Sequence, residues 1–220
     1  MKKIKLIIFD IDSTLVYGEQ TLNYYRQYPP LLELTLSRSL NISLEKAKEI
    51  ADDHRQKFNG RGEKSFETCN ADFSMWHDTI CTLDPSLYIP KLPQVQKMLE
   101  DLKKSGYILG SITDGPTIQA KKILQTAGIN QSLFSFFIGW ERDGKMPKGG
   151  LTDVYKYIIT QYKFDPSEIL MVGDSIDADI IPAHACGINV LYINSNTDSL
   201  YPTISSVELL LNYLSEYERQ

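Results

Sequence analysis

Five short apolar, β-branched stretches recur along the chain with helical patterns between the later ones, and this alternation constrains the fold more than anything else in the sequence. They run from Ile4 to Phe9, Tyr107 to Thr113, Phe134 to Gly139, Ile169 to Gly173 and Val190 to Ile193. Near-continuous apolar runs of this length are how strands buried on both faces read in a parallel sheet. Val95, Met98, Leu99 and Leu102 share one helical face, with Pro93 near its start and Gly106 as its stop. Pro116 opens a second helix that Gly128 closes. Asp153 to Tyr162 and Ile180 to Cys186 read as two more, the latter ahead of Gly187. A last one places Val207, Leu210, Leu211 and Leu214 on one face, with Ser205 and Glu208 set as a capping box. Strands alternating with helices predict an α/β fold with a doubly wound parallel sheet and right-handed crossovers.

The segment from about Tyr17 to Leu92 breaks that rhythm. It holds no clear buried strand, and Ala47, Ile50, Ala51, His54 and Phe58 share a helical face within Ser43–Phe58. An insertion of this length between the first strand and the rest predicts a small helical unit. The 220 residues suit such an arrangement.

Composition narrows the partners. The net charge of −5 leaves no excess of Lys and Arg for a nucleic-acid polymer or an anionic membrane, yet allows one small phosphate ligand. The apolar run before Asp10 is shorter than a signal-peptide core of about 7–15 residues. No stretch reaches the roughly 18 apolar residues of a membrane span. Cys69, Cys81 and Cys186 form no CxxC pair, which predicts reduced thiols and a cytoplasmic home.

Four groups carry chemistry. Asp10-Ile11-Asp12-Ser13-Thr14-Leu15 follows the first strand. Ligands of open α/β sheets bind outside the carboxyl ends of strands. Strand alternation aims Asp10 and Asp12 to one side if the extended conformation persists. Two carboxylates so placed repel unless a hard divalent cation such as Mg²⁺ joins them. Alone, the pair is a weak signal and reads first as a solvated acidic turn. Gly173-Asp174-Ser175-Ile176-Asp177-Ala178-Asp179 brings further acids to the same sheet edge. Helix capping accounts for Asp177 or Asp179, but poorly for Asp174. Ser111-Ile112-Thr113-Asp114-Gly115-Pro116 sets a hydroxyl before a helix, where backbone N–H groups and the OH together suit an anion. Lys148 lies in a Pro/Gly-rich loop, with Lys145 as its competitor. Phosphoryl transfer needs a nucleophile, a metal, donors to the phosphoryl oxygens and a positive side chain, and these segments supply all four.

The four segments, in this order, resemble the four motifs of the haloacid dehalogenase superfamily. The resemblance implies a Rossmann-like core with strands ordered 5-4-1-2-3, spanning residues 1–16 and 93–220, and a helical cap of the C1 type over 17–92. It implies a Mg²⁺-dependent phosphohydrolase acting on a small phosphorylated metabolite such as a nucleotide or sugar phosphate. Asp10 would be the nucleophile and a metal ligand. Asp12 would be the general acid and base, its backbone carbonyl joining the metal shell. Thr113 would hold the phosphoryl oxygens, with Asp114 and Gly115 offering backbone N–H groups. Lys148 would orient Asp10 and bind phosphate. Asp174 would bind the metal and Asp179 would act from behind it. Asp12 favours phosphate esters over carbon–halogen bonds, since an alkoxide leaving group needs a proton and a halide does not. Lys148 departs from the usual Lys-Pro order, and Asp114 stands where Asn is common. The insert loosely resembles that of the pyrimidine 5′-nucleotidase branch, and Arg61 and Lys57 are its candidate contacts for a second anionic group. A phosphomutase and a non-catalytic phosphate-binding module are the alternatives.

Overall fold

The computed structural model describes residues 3–58, 60–142, 152–194 and 199–219. A parallel sheet runs through the core, built from β1 (Leu6–Phe9), β2 (Ile108–Pro116), β3 (Phe136–Trp140), β4 (Ile169–Gly173), β5 (Asn189–Ile193) and β6 (Thr203–Ile204). The strand order is β3-β2-β1-β4-β5-β6. This contains the implied 5-4-1-2-3 order and adds a sixth, two-residue strand beside β5, too short to stand out as an apolar run.

Strand alternation sorts the apolar residues onto two faces. Ile7 and Phe9 of β1 face one core cluster, which also takes Val95, Met98, Leu99 and Leu102 of α6 (Pro93–Lys104) and Ile123 and Leu124 of α7 (Thr117–Ala127). Leu6 and Ile8 face the other, with Val154, Tyr155 and Ile158 of α8 (Asp153–Tyr162). All four β1 residues are fully buried, so the strand that leads into Asp10 has no solvated face.

Between β1 and α6, the insert is built from five α-helices among the described residues: α1 (Glu19–Tyr25), α2 (Tyr28–Leu40), α3 (Leu44–Lys57), α4 (Lys64–Thr68) and α5 (Phe73–Cys81). No strand occurs in this insert among the described residues. Ser43 caps α3 by accepting from Lys46 N. The insert has its own core of Leu32, Leu36, Ala47, Ala51, Phe66, Trp76 and Ile80, and Trp140 from the end of β3 completes it. Trp76 is consumed by that packing, stacked on Phe66 and edge-on to Tyr28.

Three local expectations change. Helix α7 starts at Thr117, because β2 continues as a strand to Pro116 with a register irregularity against β3 between Ile112 and Pro116. The helix expected from Ile180 begins earlier, as a π-helical turn over Ile176–Ile180, and continues as α9 (Ile181–Ala185). The last helix, α10 (Leu210–Tyr217), follows a 3₁₀ turn that has Ser206 at its N-cap with no side-chain capping bond, so the Ser205–Glu208 capping box does not form. Glu208 instead accepts a hydrogen bond from Tyr17, at the start of the insert.

Candidate active site

The first site segment keeps Asp10 in the sheet. Its N–H donates to Val172 O at 3.0 Å, continuing the β1–β4 ladder one residue past the strand. The chain then turns sharply. Ile11 O accepts from Thr14 N, Leu15 N and Val16 N at 3.3, 3.0 and 2.9 Å, and Ser13 takes a φ of 62°. Ile11, Thr14, Leu15 and Val16 are fully buried, which pins the turn from behind. Asp10 is only 4% exposed. Asp12 sits on the turn itself, half-buried.

The second acidic segment comes to the same edge. Asp10, Asp174 and Asp179 each offer a carboxylate oxygen, and these oxygens all lie within 4.8 Å of one another. Asp179 is completely buried. Its Oδ2 accepts from Ser175 N at 3.0 Å, so it closes the start of the π-helical turn while facing the cluster. Tyr155 braces that turn from below, its hydroxyl donating to Ala178 O and Asp179 O at 3.3 Å each. Gly173 makes the approach possible, because a Cβ there would lie 2.3 Å from Asp179 Oδ2. Three carboxylates held this close repel one another in a buried site. An all-oxygen, all-anionic donor set of this kind fits Mg²⁺, which takes carboxylate and water ligands. The Asp12 carboxylate is not among the three, and its Oδ1 accepts from Tyr25 instead.

The third segment lies within β2. Thr113 is buried and its Oγ1 accepts from Gly115 N at 3.0 Å, which directs the hydroxyl proton elsewhere. Asp114 is held twice. Trp140 Nε1 donates to its carbonyl at 2.6 Å, and Arg61 of the insert pairs with its carboxylate at 2.9 Å. Arg61 thus binds the insert to the sheet edge beside Thr113. Lys148 and Lys145 lie outside the described residues.

A tyrosine cluster forms the insert side of the site. Tyr24, Tyr25 and Tyr28 meet edge-to-face in all three pairs, with ring centroids 5.3 to 5.7 Å apart. Gln119, buried on α7, donates to Tyr24 Oη and to Leu83 O. Burial, reinforced by the Asp12 charge, pushes the Tyr25 and Tyr28 phenols well above their ordinary range, so both remain hydrogen-bond donors. Neither Tyr25 nor Gln119 stands out in the sequence. The only trace is the density of tyrosines in Tyr24-Tyr25-Arg26-Gln27-Tyr28 directly after the acidic turn.

A parallel Rossmann-like sheet, an acidic cluster at its carboxyl edge and a helical insert after the first strand define a class of enzyme, and comparison with known proteins agrees. The family model for haloacid dehalogenase-like hydrolases matches residues 4–187, and the chain belongs to that family. It is an enzyme, a hydrolase of the phosphatase type. Among curated relatives, a phosphoglycolate phosphatase of Pasteurella multocida is 30% identical over 205 residues, covering 87% of this chain and 86% of its own. A glyceraldehyde 3-phosphate phosphatase of Pyrococcus furiosus is 25% identical over 209 residues, covering 87% and 81%. A phosphatase structure of the same family from Thermococcus onnurineus superposes with a TM-score of 0.65 at 25% identity, covering 96% of this chain and 98% of its own.

Proposed function

We propose that the chain hydrolyses a small phosphate monoester through a phosphorylated Asp10, with Mg²⁺ as cofactor. The observation that carries this is the convergence of Asp10, Asp174 and Asp179 oxygens within 4.8 Å at the carboxyl edge of the sheet. In the first half, Asp10 attacks phosphorus in line. An O–P bond to the carboxylate forms and the ester P–O bond breaks. Asp12 gives a proton to the departing alkoxide. In the second half, Asp12 takes a proton from water as the water oxygen attacks phosphorus. The acyl-phosphate bond breaks, phosphate leaves and Asp10 is regenerated. Thr113 donates its hydroxyl to a phosphoryl oxygen while Gly115 N–H holds its Oγ1, and the backbone N–H of Asp114 borders the same oxygens. Lys148 serves as the positive side chain. Asp10 and Asp174, with the Asp12 carbonyl, would hold Mg²⁺, which would supply positive charge to the phosphoryl oxygens. Asp179 holds the Ser175 turn beside it.

Residues 17–92 act as the cap over a core of residues 1–16 and 93–220, with Arg61 reaching the site from the cap side. The relatives' names point to short phosphorylated acids and aldehydes as the substrate class. Three cysteines without a disulfide suit a reducing, cytoplasmic compartment.

The test is phosphate release from phosphoglycolate, glyceraldehyde 3-phosphate, sugar phosphates, mononucleotides and nitrophenyl phosphate. Each is assayed with Mg²⁺ and with chelator, and with Asp10→Asn as control. Turnover of one ester group, lost with chelator and in the variant, is the expected result. Turnover by Asp10→Asn rules out the covalent route. Turnover only with a bisphosphate activator favours a phosphomutase.

A further inference from the structure

The insert contributes more than a lid. Tyr25, the last residue of α1, donates its hydroxyl to Asp12 Oδ1 across a separation of 13 residues. Its ring is wedged edge-on between Tyr24, at 5.3 Å, and Tyr28, at 5.5 Å. Tyr24 is fully buried and is itself tied to Gln119 on α7, the helix that follows Thr113, Asp114 and Gly115. Gln119 also donates to Leu83 O at 2.9 Å, where the chain leaves the insert. A continuous relay thus runs from the start of α7 through two tyrosines to the carboxylate on the catalytic turn.

A carboxylic acid on a turn rotates about its own Cβ–Cγ bond, a broad two-fold torsion with little preference of its own. A general acid works only when its proton lies within hydrogen-bond reach of the leaving oxygen. Fixing Oδ1 fixes that rotation and makes Oδ2 the oxygen that serves the leaving group. We propose that Tyr25 is a positioning residue supplied by the insert, which orients Asp12 as the general acid only while α1 is seated on the core. The proposal rests on the phosphohydrolase reading and on the acid role of Asp12. It explains why a phenol rather than a phenyl ring sits here: packing alone needs no hydroxyl, and the hydroxyl points at one carboxylate oxygen.

The test uses the full-length enzyme with Mg²⁺, an alkyl phosphate that needs a proton on its leaving group, and nitrophenyl phosphate, which does not. Tyr25→Phe keeps the ring and removes the hydroxyl. On the alkyl ester kcat falls about tenfold with KM nearly unchanged, the signature of an interaction used in the transition state. On nitrophenyl phosphate kcat/KM, which reports the phosphorylation half alone, changes less than about twofold, because protonation adds little there. Asp12→Asn supplies the reference, and adding Tyr25→Phe to it costs nothing further on the alkyl ester if Tyr25 acts through Asp12. Equal loss of kcat/KM on both esters means a packing role and overturns the proposal. So does an undiminished Tyr25→Phe effect in the Asp12→Asn background, or wild-type kcat for Tyr25→Phe where Asp12→Asn is crippled. If Asp12→Asn itself turns over the alkyl ester at the wild-type rate, the acid role falls and the positioning role falls with it.

Discussion

Gly173 shows how tightly single residues are specified at the sheet edge. It is the last residue of β4, and the Asp179 carboxyl group occupies the space a side chain would need, with three of its atoms 2.3 to 2.6 Å from a hypothetical Cβ. Asp179 cannot retreat, because its Oδ2 holds Ser175 N and its carbonyl accepts from Tyr155. Gly173→Ala therefore displaces either β4 or the acid cluster. Overpacking of this kind costs about 1–3 kcal/mol. For a chain of this size that lowers Tm by roughly 2–10 °C. Activity falls further than stability does, by more than about tenfold, since a small misplacement of catalytic groups carries a large kinetic penalty. Thermal melting beside kcat/KM measures both. A variant that melts lower yet keeps full activity would show that the cluster tolerates the shift.

Between elements, further polar bonds join the insert to the core besides those of Tyr24, Tyr25 and Gln119. Tyr17 binds Glu208 at the start of the insert, with burial the chief reason its phenol is pushed up to about 12. Arg61 binds Asp114 at the site. Arg142, just past β3, binds Asp78 of α5 through two guanidinium nitrogens at 2.7 and 2.9 Å. That last pair is exposed, and it carries a clear pH signature. Hydrogen bonding from Arg142, aided by His77, lowers Asp78 from 3.8 to about 2. A depressed carboxyl contributes stability above its unfolded value and loses it as the pH falls through the folded one. The tie therefore holds above about pH 4 and loosens as the pH drops from there toward 2. Arg142→Ala returns most of the shift, which a carboxyl-detected NMR titration of Asp78 reads directly. An unchanged titration would mean that Arg142 does not hold Asp78 in solution.

For the molecule as a whole, the three clustered carboxylates of the proposed Mg²⁺ site repel one another. A ligand that binds only the folded state at one hundred times its Kd adds about 2.7 kcal/mol. Saturating Mg²⁺ therefore raises Tm by roughly 5–10 °C. In Asp174→Asn the rise disappears, while the metal-free Tm stays level or climbs because one repelling charge is gone. Calorimetry with and without Mg²⁺ on both proteins checks this. A full Mg²⁺ shift in Asp174→Asn would move the metal away from this cluster.

The sheet was legible in the sequence because a strand buried on both faces must be apolar throughout, and Leu6–Phe9 and Ile169–Gly173 have no other use for such residues. The short strand Thr203–Ile204 was not legible, having too few residues to make a pattern. The acid residues at strand ends were legible for the same reason as the strands, since the chain leaves every parallel strand at one edge. The Glu208 cap was misread because a local signal, Ser205 followed by Glu208, competes with a partner 191 residues away in Tyr17. Asp12 shows the same division. Its place after β1 follows from the chain alone, but Tyr25, which grips its carboxylate, and Arg61, which grips Asp114 from 53 residues away, meet their partners only once the insert folds back over the sheet. Periodicity and strand ends are properties of neighbouring residues, so the sequence by itself determined the elements and the acids at their tips. Which side chain from the insert reaches which carboxylate depends on how two separately packed cores dock, and that was decided by the tertiary structure.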